Sequence, residues 1–209
     1  MSRLALTLLS LWLACVGVFA QSGQAVFNRA VAEFEQGRFV ASAAAFDELA
    51  AMMPDRAPQL WQRGIALYYS GRYTDCRRQF ESHRTVNPDD VENAAWHFLC
   101  VAREQNPLAA RAALLPVGPD SRVPMRQVYQ MFRGDLTPDE VMKVAGSGRE
   151  GQFYGNLYVG LYLEALGKRD AALQHIKAAA SDQFAPVGGY MSMVAKVHLR
   201  SASLEGRNK

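Results

Sequence analysis

Four histidines, three cysteines, a paired aspartate and one glycine-rich run are the places where this chain could do chemistry. Gly146-Ser147-Gly148-Arg149-Glu150-Gly151 has the G-x-G-x-x-G spacing of a dinucleotide phosphate loop. That loop works where a strand ends in a tight turn and a helix begins, so that backbone N–H groups face the pyrophosphate. Here the run follows a helical pattern ending near Ala145 and reads as a mobile linker. His83, His97, His175 and His198 form no i, i+3 or i, i+4 pair with one another or with a cysteine, so no helical metal site is expected. Asp89-Asp90 precede an apolar periodic segment, the place of a helix cap rather than of an acid/base pair. No serine or cysteine nucleophile has an identifiable base, and no cofactor is expected.

The elements that carry these residues register at one period. Gly37-Arg38-Phe39 and Gly71-Arg72-Tyr73 lie 34 residues apart, and the same offset relates Ala30 to Gly64, Phe46 to Phe80 and Pro54 to Pro88. A small residue, a turn glycine, an aromatic and a closing proline at that period form the tetratricopeptide (TPR) pattern. The fold class expected is all-α: a helix-turn-helix solenoid with an irregular helical insert and a C-terminal capping helix. A single helix pair cannot bury its apolar face, so stacked neighbours supply the core and leave a curved face open.

The first pair is expected over 24–35 and 39–52, the second over 57–69 and 73–86, each broken by a left-handed glycine. A third begins at 91–103 and degenerates into a short segment at 107–114. After a proline-rich connector over 115–124, short helices are expected at 125–132 and 138–145. Thr137, Pro138 and Glu140 announce the second as a capping box. The repeat resumes beyond Gly151: Gly160, Gly167, Ala172 and Ile176 lie 96 residues after Gly64, Gly71, Cys76 and Phe80, where three periods would give 102. The units are therefore repeats at about 23–56 and 57–90, a degenerate unit at 91–115, an insert at 116–151, a repeat at 152–186, a cap at 190–199 and a flexible tail at 201–209.

Residues 1–20 differ in kind: Arg3, an apolar stretch from Leu4 to Ala14, and small residues at Val18-Phe19-Ala20. They read as a secretory signal peptide cut after Ala20. An uncleaved anchor is the rival, although the stretch falls short of the ~20 residues that span a bilayer comfortably. Lipidation at Cys15 is a third route, with Trp12 where a lipoprotein signal has Leu. Of the remaining cysteines, Cys76 and Cys100 sit on neighbouring helices. An oxidising compartment permits a bridge between them, but the expectation is two buried thiols, because no spacing rule fixes their Cα separation. A formal charge of +3 spread over 209 residues gives no footprint for nucleic acid.

The run Arg63-Gly64-Ile65-Ala66-Leu67-Tyr68-Tyr69-Ser70-Gly71-Arg72, with Asn87-Pro88-Asp89-Asp90 and Trp96, resembles the core of the NlpI-type TPR proteins. Met131-Phe132-Arg133-Gly134-Asp135-Leu136-Thr137 and Phe153-Tyr154-Gly155-Asn156-Leu157-Tyr158 extend the likeness over roughly 25–200. The resemblance implies an all-α periplasmic adaptor that gathers peptidoglycan hydrolases and a processing protease and has no chemistry of its own. The poor lipobox and the short segment before Gln24 depart from that family.

By TPR geometry Phe27, Val31 and Phe34 of the first repeat and Trp61, Ile65 and Tyr68 of the second face the groove. Clamps for a C-terminal carboxylate use Lys and Asn there; apolar groups argue against that ligand. The stripe is either core beneath the capping helix or a groove for an apolar or aromatic peptide. Arg63 takes a position normally apolar and is expected to pair with an acid inside the stack. Gly37, Gly64, Gly71, Phe46, Phe80, Pro54, Pro88, Gly160 and Gly167 are structural. The function expected is a non-enzymatic, exported scaffold that binds proteins or peptides. An enzyme using a cleft in the 122–151 insert and a membrane-anchored assembly factor are the alternatives.

Overall fold

A computed structural model describes residues 22–205. The leader over 1–20, with its cleavage site and Cys15, and the end of the tail lie outside the described residues. Among the described residues the chain is all helical, in the order α1 (22–35), α2 (Phe39–Met52), α3 (Trp61–Tyr69), α4 (Tyr73–His83), α5 (Val91–Glu104), α6 (Pro107–Ala112), α7 (Met125–Arg133), α8 (Pro138–Ala145), α9 (Arg149–Ala165), α10 (Arg169–Ala179) and α11 (Ala185–Glu205). Helices pack on their sequence neighbours along the chain, as a repeat-like solenoid requires.

The repeat is visible in the backbone. Gly37, Gly71 and Gly167 sit at φ +76°, +81° and +76°, in the left-handed region that an L side chain resists. In each turn the glycine N–H bonds the carbonyl three residues back and the following N–H reaches five back: Gly37 to Phe34 (2.9 Å) with Arg38 to Glu33 (2.9 Å), and Gly71 to Tyr68 (3.1 Å) with Arg72 to Leu67 (2.9 Å). This is the Schellman closure, which satisfies the last carbonyls of a helix. Gly167 and Lys168 repeat it onto Glu164 (2.8 Å) and Leu163 (2.9 Å). Residues Arg38, Arg72 and Lys168 then open the next helix with nearly the same dihedrals, φ of −87°, −88° and −86°.

Between the paired helices a small residue admits a large one. A Cβ on Gly160 would lie 2.8 Å from Ile176, as one on Gly64 would crowd Phe80. In the first repeat Ala30 takes this place; it and Phe46 are wholly buried, and the Ala30 carbonyl accepts a bond from the Ser42 hydroxyl (2.8 Å).

Several boundaries differ from expectation. Residues Pro54–Gln59 form a 3-10 segment, so α3 starts at Trp61 rather than 57; Pro58 has no N–H to continue the ladder. The chain leaves α4 after His83 through turn bonds, including Asn87 N–H to the His83 carbonyl (3.0 Å). Pro88 lies in this turn, and its carbonyl accepts from Gly118 N–H (3.1 Å). The supposed linker is not one: α9 begins at Arg149, and Gly151 is buried where a Cβ would stand 2.2 Å from the Ala145 carbonyl oxygen. Gly151 is thus a packing glycine that lets α9 start against the end of α8. The capping box at Thr137 and Glu140 forms as expected. Helix α11 breaks at Gly189 (φ 49°, ψ −127°) and runs on to Glu205, so residues 201–205 are helix rather than tail.

Cys76 and Cys100 are joined by a disulfide, with their Cα atoms 5.9 Å apart. The expectation of two buried, unbridged thiols is therefore corrected: α4 and α5 pack closely enough to bring both cysteines, each fully buried, into bridging range.

Candidate functional site

The open face of the first two repeats is largely occupied by the chain's own last helix. Tyr190 at the start of the continuous part of α11 stacks on Phe34 (6.2 Å between centroids) and meets Trp61 edge-on (5.1 Å). Two turns later His198 Nδ1 stands 2.8 Å from the Tyr69 hydroxyl, and His198 Nε2 stands 2.6 Å from Glu164 on α9. Burial raises the Glu164 carboxyl, but the bond and charge of His198 together with the charges of Arg103 and Arg169 outweigh it and hold the group below its ordinary value. Burial also drives the Tyr69 hydroxyl well above the ordinary tyrosine range, so it bridges as a neutral phenol.

The expected groove residues are accordingly divided. Phe34 and Ile65 are fully buried and Tyr68 is 8% exposed, packed against Trp96 at 5.5 Å. These three are core, not groove. Phe27 is half-buried against Phe46 (6.0 Å), and Val31 is half-buried beside the core. Trp61 alone of the six lines an open pocket. Arg63 is enclosed in the stack: its Nε donates to Asp47 (2.8 Å) and a terminal nitrogen to Gln79 (2.8 Å). Asp47 also pairs with Arg72 at 2.5 Å.

The pocket holds about 240 Å³ and lies between the end of α4, the start of α3, the first two turns of α5, the second turn of α9 and the kink of α11. Its aromatic walls are Trp61, Phe80, Trp96, Tyr154 and Tyr190. Gly188 also lines it, and a Cβ there would strike the Phe153 ring, at 2.6 Å. Three of the residues lining it each carry a buried polar atom with no partner among the described residues: the Asn93 side-chain carbonyl, the Trp96 indole N–H and the Tyr190 hydroxyl. Asn93 and Trp96 are 2% and 1% exposed. Buried donors and acceptors without partners are costly, and three of them belong to residues around this one cavity.

Acidic groups flank this cavity. Asp90 caps α5 by accepting from Glu92 N–H (3.0 Å), and Arg122 from the insert donates to Asp90 (2.6 Å), to Asp120 (2.6 Å) and to Glu92. The other Glu92 oxygen accepts from the Tyr158 hydroxyl. Burial, reinforced by Asp90, raises the Glu92 carboxyl against the opposing pull of Arg122 and Tyr158. Three carboxylates against one guanidinium leave the cluster at a formal charge of −2. Arg122 also stands over the Tyr154 ring, 5.3 Å from its centroid, so the pocket wall already carries one cation–π contact.

Sequence reasoning quoted Trp96 and Tyr154 within the NlpI-type likeness and did not single out Asn93 or Tyr190. One signal was present: Asn93 and Trp96, three apart on one helix, share a face, so a polar group beside a large aromatic was implied there. No protein-family model matches this sequence.

Proposed function

We propose that this protein is a non-enzymatic scaffold that holds segments of other proteins, and that it works after export across a membrane. The observation that carries this reading is a stack of helix pairs with an aromatic, partly open pocket left between the repeats and the last helix. Helical solenoids bind in that manner, and aromatic side chains are the commonest interface anchors. The titratable groups around the pocket serve structure: Glu92 is held at both oxygens by Arg122 and Tyr158, and His83 Nδ1 is tied to the Pro58 carbonyl (2.8 Å). A carboxylate engaged in this way is a poor proton acceptor for a substrate. No group of three or more His, Cys, Asp or Glu side chains that could hold a metal ion occurs among the described residues.

Export is supported by the leader sequence and by the disulfide, which persists in oxidising compartments. No helix among the described residues is long and apolar enough to cross a membrane. A role in gathering hydrolases and a protease rests on the NlpI-type resemblance alone. Affinity purification from the native host, with bound proteins identified, tests the scaffold reading. Reproducible enrichment of the same one or few proteins is expected. A wild-type chain that enriches none of them overturns it.

A further inference from the structure

We propose that the pocket between α3, α5 and the kink of α11 seats an arginine or lysine side chain of a partner polypeptide, with the partner's backbone carbonyl accepting from the Trp96 indole. The proposal rests on the scaffold reading and names the chemistry that one site would recognise.

Each wall of the cavity asks for part of such a ligand. Asn93 offers an unpartnered acceptor at 2% exposure, which calls for an N–H. The Trp61 ring, together with the Asp90 and Glu92 carboxylates in the lining, favours a cation over a neutral amide. Trp96 is a donor only, so an amine or guanidinium by itself leaves it unmet. A peptide residue carries both a cationic head and a carbonyl, and its backbone satisfies what a free cation cannot. Size agrees: about 240 Å³ falls below the roughly 300 Å³ at which pockets for drug-sized molecules begin, and one inserted side chain needs less. The Tyr190 hydroxyl, able to donate and accept, closes the cavity from α11. Burial raises it above the ordinary tyrosine range, so it adds no charge of its own.

The test uses the whole mature chain and the capped tripeptide acetyl-Gly-Arg-Gly-amide, with its citrulline counterpart as the neutral isostere. Binding is followed by the indole N–H signal of Trp96, assigned by its loss in Trp96→Phe. The arginine peptide should move that signal and bind about tenfold or more tightly than the citrulline peptide. The preference should shrink in high salt. Asn93→Leu, which replaces the acceptor with a group of similar size, should remove the arginine preference while its urea midpoint shows the fold intact. Equal binding of both peptides, no movement of the Trp96 signal, or an unchanged preference in Asn93→Leu overturns the proposal. So does methylguanidinium binding as tightly as the peptide, which would make this a site for small cations. The scaffold reading fails separately: if the host supplies no partner while the arginine peptide binds, the pocket stands and the adaptor role falls. If a partner is captured equally by wild type and Asn93→Leu, the reverse holds.

Discussion

Gly64 and Phe80 are pressed together where α3 crosses α4: a Cβ on Gly64 would stand 2.6 Å from two carbons of the Phe80 ring. The ring is 1% exposed and cannot swing into solvent without leaving a hole. Gly64→Ala should therefore cost about 1 to 3 kcal/mol through overpacking. Phe80→Ala removes the ring itself and should cost about 3 to 5 kcal/mol. Urea midpoints at unchanged slope measure both. A loss below ~1 kcal/mol for Phe80→Ala would show that the repeat register does not set this contact.

The Cys76–Cys100 bridge closes a loop with a sequence separation of 24. Restricting the unfolded chain over that length is worth about 3 kcal/mol. Replacing both cysteines by alanine should lower stability by roughly that amount, and thiol titration of the denatured, unreduced chain should find neither cysteine reactive. Two reactive thiols under those conditions would restore the original expectation.

Local signals made the repeat legible and long-range ones did not. Gly37, Gly71 and Gly167 announce their turns because a left-handed closure demands glycine, and Gly64 announces its partner because the 34-residue period carries Ala30 onto it. Thr137 and Glu140 reach only each other, so their box could be read directly. That the capping helix covers the groove could be read only as one of two alternatives. Tyr69 and His198 are 129 residues apart, and no periodicity says that α11 returns across the first two repeats. The disulfide and the Arg122 cluster share that character. Arg122 lies 30 residues from Glu92, and only the path of the connector brings them together. The pocket was invisible because an unpartnered atom is defined by everything around it.

His97 gives stability a pH dependence of known sign. Burial holds its imidazole below the ordinary 6.5, against the upward pull of Glu81, which lies 3.5 Å away. Because its folded value is depressed, the unfolded chain takes up a proton that the native chain refuses. Stability is thus fully present above about pH 6.5 and falls as the pH drops through the lowered value. His175, also lowered by burial, acts in the same direction. Urea midpoints of wild type should decline between about pH 7.5 and pH 5, and His97→Gln should show a shallower decline. Parallel curves would remove His97 as the cause.

Arg122 fastens the insert to α5, and Arg122→Met should expose what it neutralises. The variant keeps the stem but strips the charge from beside Asp90, Glu92 and Asp120. A loss on the order of 2 kcal/mol is expected, reduced from the fully buried case because the guanidinium is 30% exposed. Glu92, already raised, should rise further. A carboxyl with a raised folded value destabilises above that value, so the variant's deficit should narrow as the pH falls through it. A deficit that widens in acid would mean that Arg122 acts chiefly on another group.

Trp61 and Tyr68, seven residues apart on one helix, should separate binding from folding. Tyr68 is 8% exposed and packed edge-on against Tyr69 (5.3 Å) and Trp96 (5.5 Å), so Tyr68→Ala opens a cavity in the core. Its cost should approach the 3 kcal/mol or so of a large aromatic truncation. Trp61 is half-buried, and its ring contact is with Tyr190 at the mouth of the pocket. Trp61→Ala should leave the urea midpoint within about 1 to 1.5 kcal/mol of wild type, the worth of one aromatic pair, and still weaken peptide capture by about 2 kcal/mol if the indole is an anchor. Calorimetric titration of the arginine peptide and urea melts on the same two variants decide it. Should Trp61→Ala fall in stability as far as Tyr68→Ala with peptide affinity unchanged, the indole is core, and the binding surface belongs to the face lined by Val117, Arg126 and Tyr129 of the insert.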